Sequence, residues 1–123
     1  MNNQDAIINL ISKGVSLLSV GEISTSLIDS IKRFSENSNI HLIEYCVSPS
    51  PVPPISPVVF TEKSIIIFKN FHIANTLTFH YAGLLILEGH TVIADIDSSD
   101  SLKYIPLNLI TRMVVLNNSF TKE

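Results

Sequence analysis

Short apolar runs recur along this chain at intervals that leave room for a helix between most of them. They are VSLLSV at 15–20, IHLIEYC at 40–46, SIIIF at 64–68, HTVIADI at 90–96 and MVVLN at 113–117. Each is too short for a core helix, and SIIIF in particular is the near-continuous run expected of a parallel strand covered on both faces. Between the first two, Leu27, Ile28, Ile31 and Phe34 return at helical spacing. A second helix is expected over 73–88, with Gly89 as its stop. Strands alternating with helices predict an α/β fold in three layers: a mostly parallel sheet with flanking helices on both sides.

The remaining punctuation fits that plan. Asp5 is placed to cap an N-terminal helix whose apolar side carries Ile7, Ile8, Leu10 and Ile11, and Gly14 follows where a helix-ending glycine belongs. The strand, helix and strand over 15–46 have the length of a right-handed parallel crossover. VSPSPVPPISP at 47–57 holds five of the six prolines and is expected to be a stiff, extended connection. Such a stretch also suits an aromatic-lined groove, although a rigid loop is the simpler reading. A helix over 102–112 should break near Pro106.

At 123 residues the chain is expected to form a single domain with its own core. Apolar residues make up 46% and charged residues only 15%, against roughly 25% charged in ordinary domains, so some apolar surface is expected to meet a partner. The net charge of −3, without a Lys or Arg run, offers no patch for nucleic acid. One cysteine, Cys46, allows neither an internal disulfide nor a Cys-based zinc site, which fits a reducing, cytoplasmic setting. No run reaches the ~20 apolar residues of a membrane helix, and the N-terminus lacks the pattern of a secretory signal. A soluble, unprocessed protein is the expectation.

In parallel α/β sheets, ligands gather at the carboxyl ends of strands. SVGEISTSLIDSI at 19–31 therefore matters, because a strand runs through Gly21 and a Ser/Thr cluster into a helix. A phosphate loop needs several backbone N–H groups aimed at one anion, glycines for close approach and a lysine. GEISTS has one glycine and no lysine, and Glu22 sets a carboxylate near the anion's place.

With those residues in view, the chain resembles the P-loop ATPases of type II and type IV secretion and pilus machines. LLSVGEISTSLIDSIKRF is similar to their strand, phosphate loop and helix, with Gly21, Ser24 and Thr25 at matching positions. NIHLIEYCVSP resembles the strand that ends in acidic residues, with Glu44 in the first acidic place. EKSIIIFKNFHIA resembles the Walker B strand, but Lys69 and Asn70 stand where Gly-Glu is expected. EGHTVIADIDSSDSLKYIPLNLI matches best, with Gly89 and His90 as the family's Gly-His and Asp97 where a second histidine would fall. PLNLITRM gives a looser likeness to AAA-type P-loop domains. The resemblance implies a vestigial nucleotide site at Gly21, Ser24, Thr25, Glu44 and His90, with phosphate lysine, catalytic glutamate and second histidine all missing.

Other patterns compete. Asp95 and Asp97, one residue apart at a strand end, resemble the nucleophile and acid of haloacid-dehalogenase-type phosphatases, whose carboxylates also hold magnesium. The simpler reading is a solvated loop in which Asp97 or Ser98 caps the next helix. Ser24 and Thr25 can equally be plain helix caps. The four histidines have no spacing of a metal triad; His41 should be exposed, and His80 should pack within its apolar helix.

The sequence thus predicts a non-hydrolysing, P-loop-like interaction domain, an accessory or regulator of a secretion, pilus or conjugation ATPase, that needs neither ATP nor magnesium and works through a protein partner, another copy of the chain included. The alternatives are a small magnesium-dependent phosphatase built on Asp95 and Asp97, or an unrelated α/β interaction module. An interior place for the strand before Gly21 is what a P-loop domain requires.

Overall fold

The computed structural model describes residues 3–48 and 62–117. Most of the proline-rich stretch at 47–57 lies outside the described residues. In chain order the elements are α1 (Asn3–Ser12), β1 (Leu17–Val20), α2 (Thr25–Asn37), β2 (His41–Cys46), β3 (Ser64–Lys69), α3 (Thr76–Leu87), β4 (Thr91–Ile96), α4 (Leu107–Ile110) and β5 (Val114–Leu116). Two 3₁₀ segments intervene, Phe71–Ile73 before α3 and Ser99–Tyr104 before α4.

All strand pairs are parallel, in the order β2-β3-β4-β1-β5. The strand before Gly21 is therefore interior, between β4 and β5. The expected crossover from β1 does not land beside it: β4 and β3 separate β1 from β2. A helix of the right length allows a neighbouring strand, but the more apolar β3 and β4 take the inner places and leave the half-exposed β2 at the edge.

The two-residue period of the strands sorts the core into two halves. On one face Leu17, Ile65, Ile67 and Ile93 meet Ile7 and Ile11 of α1 and Leu27 and Ile31 of α2. On the other, Leu18, Ile66, Phe68, Val92 and Ala94 meet Phe71, Phe79, Ala82, Leu85 and Leu109. Phe71 lies between Phe68 and Phe79, with ring centroids 5.4 and 5.0 Å away. Burying each such side chain contributes about 1.5–3 kcal/mol before entropy is counted, so both helical layers are anchored by the sheet.

Several boundaries shift for local reasons. α1 begins at Asn3, so Asp5 lies in its first turn, where a carboxylate still favours the helix dipole, rather than at the cap. Pro106 divides the expected 102–112 helix into the second 3₁₀ segment and α4. His80 is exposed, not packed, because α3 turns Thr78, Phe79, Ala82 and Leu85 inward and carries position 80 on its outer face. His41 is exposed as expected. Among the described residues no helix is long and apolar enough to cross a membrane.

Candidate functional site

The carboxyl ends of β3, β4 and β1 converge on the turn at 21–24. Gly21 takes φ +111°, outside the range that side-chain-bearing residues favour, and its N–H donates to the Ile96 carbonyl at 2.8 Å. The Ser19 hydroxyl donates to the Gly21 carbonyl at 2.7 Å. The chain then passes Glu22 and the buried Ile23 to Ser24, whose hydroxyl accepts the Leu27 N–H at 3.1 Å and caps α2. Thr25 is the first residue of α2 and is exposed.

By strand parity Asp95 follows Ile93 and Lys69 follows Ile67, so both side chains belong to the sheet face that carries α2. Asp95 is buried, not in a solvated loop, because β4 continues through it to Ile96. Its Oδ2 accepts the Ile23 N–H at 3.1 Å, and its Oδ1 accepts the Asn70 N–H at 2.6 Å. Asn70 presents that N–H from a left-handed conformation, φ +61°, which asparagine tolerates better than most residues. The Lys69 ammonium lies 3.8 Å from Asp95 Oδ2, 3.4 Å from Glu22 Oε1 and 3.4 Å from the Ile23 carbonyl.

The result is an anion cradle already occupied from within. A backbone N–H of the turn points at a carboxylate, as it would at a phosphate, and the carboxylate belongs to the chain. A lysine is also present, but it comes from the end of β3 and is shared between two carboxylates. Lys69, Glu22 and Asp95 sum to one negative charge, so a phosphate entering here meets net repulsion and must displace Asp95 from its N–H partners.

The other sequence-predicted residues lie apart from this cradle. Glu44 projects from the edge strand β2 and pairs with Lys32 of α2 at 3.2 Å. His90 sits just before β4 begins, at the amino ends of the strands, where its Nδ1 accepts the Ser64 N–H at 3.1 Å. The five residues from Thr91 to Asp95 put it roughly 16 Å from the turn at ~3.3 Å per residue. Asp97 is exposed and is engaged by other partners than Asp95: the Ser101 hydroxyl donates to its Oδ1, and His72 Nε2 lies 3.8 Å from its Oδ2. The Ser101 hydrogen bond, with the His72 charge and backbone N–H groups assisting, holds the Asp97 carboxyl below the usual aspartate range. Among the described residues no group of three or more His, Cys, Asp or Glu could hold a metal ion.

No family model matches the chain, and no curated protein does. Solved structures do. A chain of Drosophila ORC bound to AT-rich DNA and Cdc6 superposes with a TM-score of 0.63 at 11% identity, over 95% of this chain and 52% of that one. A chain of Drosophila ORC bound to DNA gives 0.62 at 12% identity, over 93% of this chain and 85% of that one. The Thermotoga maritima RuvB P216G mutant gives 0.64 at 10% identity, over 95% of this chain and 46% of that one. The fold is P-loop NTPase-like. This chain spans about half the length of two of these three neighbours. These likenesses support a P-loop NTPase-like fold and not the secretion-ATPase subtype.

Lys69 and Asp95 escaped the sequence reading in their present role. The sequence marks Lys69 only as a departure from Gly-Glu, and its reach to the turn at 21–24 depends on β3 and β1 flanking β4. An aspartate within an otherwise apolar strand was the available signal for Asp95.

Proposed function

We propose that this chain is a non-hydrolysing P-loop-like domain that acts by binding another protein. The observation that carries the reading is the Asp95 carboxylate in the cradle, hydrogen-bonded to the Ile23 and Asn70 N–H groups beside Lys69. Three features work together against phosphate there: the Ile23 and Asn70 N–H groups are committed to Asp95, the lysine is shared between two carboxylates, and the local charge balance is negative. A domain that keeps the scaffold without the ligand has surfaces rather than chemistry to offer. Work as an accessory or regulator of a secretion or pilus ATPase rests on the ordered motifs of the sequence alone. The DNA in the ORC structures is not carried over, since the net charge of −3 supplies no basic patch.

Calorimetric titration with ATP and magnesium tests the reading. The expected outcome is no saturable heat and no phosphate release. Micromolar binding, or turnover that disappears in Lys69→Met, would sink it.

A further inference from the structure

We propose that the outer face of α3, with the groove between α3 and α4, is a docking seam for an amphipathic helix of another protein that carries a carboxylate beside its apolar stripe. The proposal rests on the reading of the chain as a protein-binding scaffold and names the surface and the partner's chemistry. α3 contains no Asp, Glu, Lys or Arg and carries apolar side chains on its outer as well as its inner side, with Thr76 and His80 the exposed polar exceptions, a composition closer to a covered helix than to a surface one. Among the described residues, only its inner side is covered. Leu77, Leu84 and Leu87 remain 49%, 42% and 61% exposed.

Their spacing identifies the shape of the occupant. Leu77, His80, Leu84 and Leu87 follow one another at intervals of three, four and three residues, which is the seam pattern by which one helix packs along another. Beside this seam runs a groove of about 340 Å³, lined by Leu84, Leu87, Pro106 and Leu109 and flanked by His80 and Arg112. Gly83 lies in the groove, where an added Cβ would stand 4.0 Å from Leu109, so the absence of a side chain keeps the groove deep.

Charge identifies the chemistry. Among the described residues no carboxylate lines the groove and no ion pair engages Arg112, although the chain as a whole is acidic. A helix with leucine-type anchors and an adjacent Asp or Glu satisfies both the apolar stripe and the guanidinium. A second copy of this chain would set one Arg112 against another, which disfavours self-pairing.

The test is a display selection against the full chain. The library consists of helices of about 16 residues, roughly 24 Å long, with leucine fixed at seam spacing and the flanking positions randomised. Enriched sequences should carry Asp or Glu beside the stripe. A synthetic peptide of the leading sequence, followed by fluorescence anisotropy, should bind Leu84→Asp and Arg112→Glu about tenfold or more weakly than the parent chain. Lysine in place of the peptide's acidic residue should restore binding to Arg112→Glu. Circular dichroism checks that each variant is folded, and the more exposed Leu87→Asp replaces Leu84→Asp if that one is not. No enrichment, enrichment without acidic bias, or binding indifferent to both variants overturns the proposal. So does a dimer in sedimentation equilibrium that Leu84→Asp abolishes, which would give the seam to a second copy. ATP binding alongside intact peptide capture would reject the nucleotide-free reading and leave the seam standing; loss of capture without ATP binding would do the reverse.

Discussion

Asp95 shows how one side chain can decide what a loop is able to bind. Its two oxygens accept N–H groups from residues 23 and 70, which lie far apart in sequence. Removing the acceptor orphans two donors at a buried site, at about 1–3 kcal/mol for each that water cannot reach. Asp95→Ala is therefore expected to lower stability by roughly 2–4 kcal/mol in urea unfolding, an estimate below the full sum because water can enter the vacated space. Asp95→Asn keeps one carbonyl oxygen but turns an NH2 toward the other donor, and should fall between the parent and the alanine variant. An alanine variant as stable as the parent would mean that the carboxylate is not what ties the turn to β3.

Among the elements, the two 3₁₀ segments depend on each other through Asp97. The Asp97 carboxylate accepts the Ser101 hydroxyl within the second segment and faces His72 in the first. Because the folded-state pKa is depressed, Asp97 contributes stability that is fully present above the unfolded aspartate value and is lost as pH falls through the lower, folded value. Acid titration followed by NMR of the Asp97 side chain should give a midpoint below that of an unstructured aspartate. Ser101→Ala should move the midpoint upward, since that hydrogen bond is the largest cause of the shift. An unchanged midpoint would mean that the contact is not maintained in solution.

For the whole molecule, stability should be graded across the sheet. β4 is buried at every position and has β3 on one side and β1 on the other, whereas β2 and β5 are edges with exposed positions. Native-state hydrogen exchange is expected to be slowest in β4, then β1 and β3, and fastest in β2 and β5. Edge strands that exchange as slowly as β4 would require a partner along those edges. The same sheet carries α3, which leaves Leu77, Leu84 and Leu87 uncovered.

The sequence by itself determined the layers. Apolar runs of strand length at 15–20, 64–68 and 90–96, with helical periodicity after Gly21, are local signals, and local signals were enough for a parallel α/β fold, the turn at Gly21 and a cap at Ser24 or Thr25, of which the structure uses Ser24. Only the tertiary structure decided the site. Strand order is a non-local choice, made by which strands bury best, and it set β3 and β1 on either side of β4. That order brought Lys69, Asp95 and the turn at 21–24 together and left Glu44 on an edge, while His90 stands at the opposite end of the sheet simply because it precedes β4 in the chain. A motif read along the chain supplies residue types at intervals; whether an N–H meets a phosphate or the chain's own carboxylate depends on neighbours that arrive from other strands.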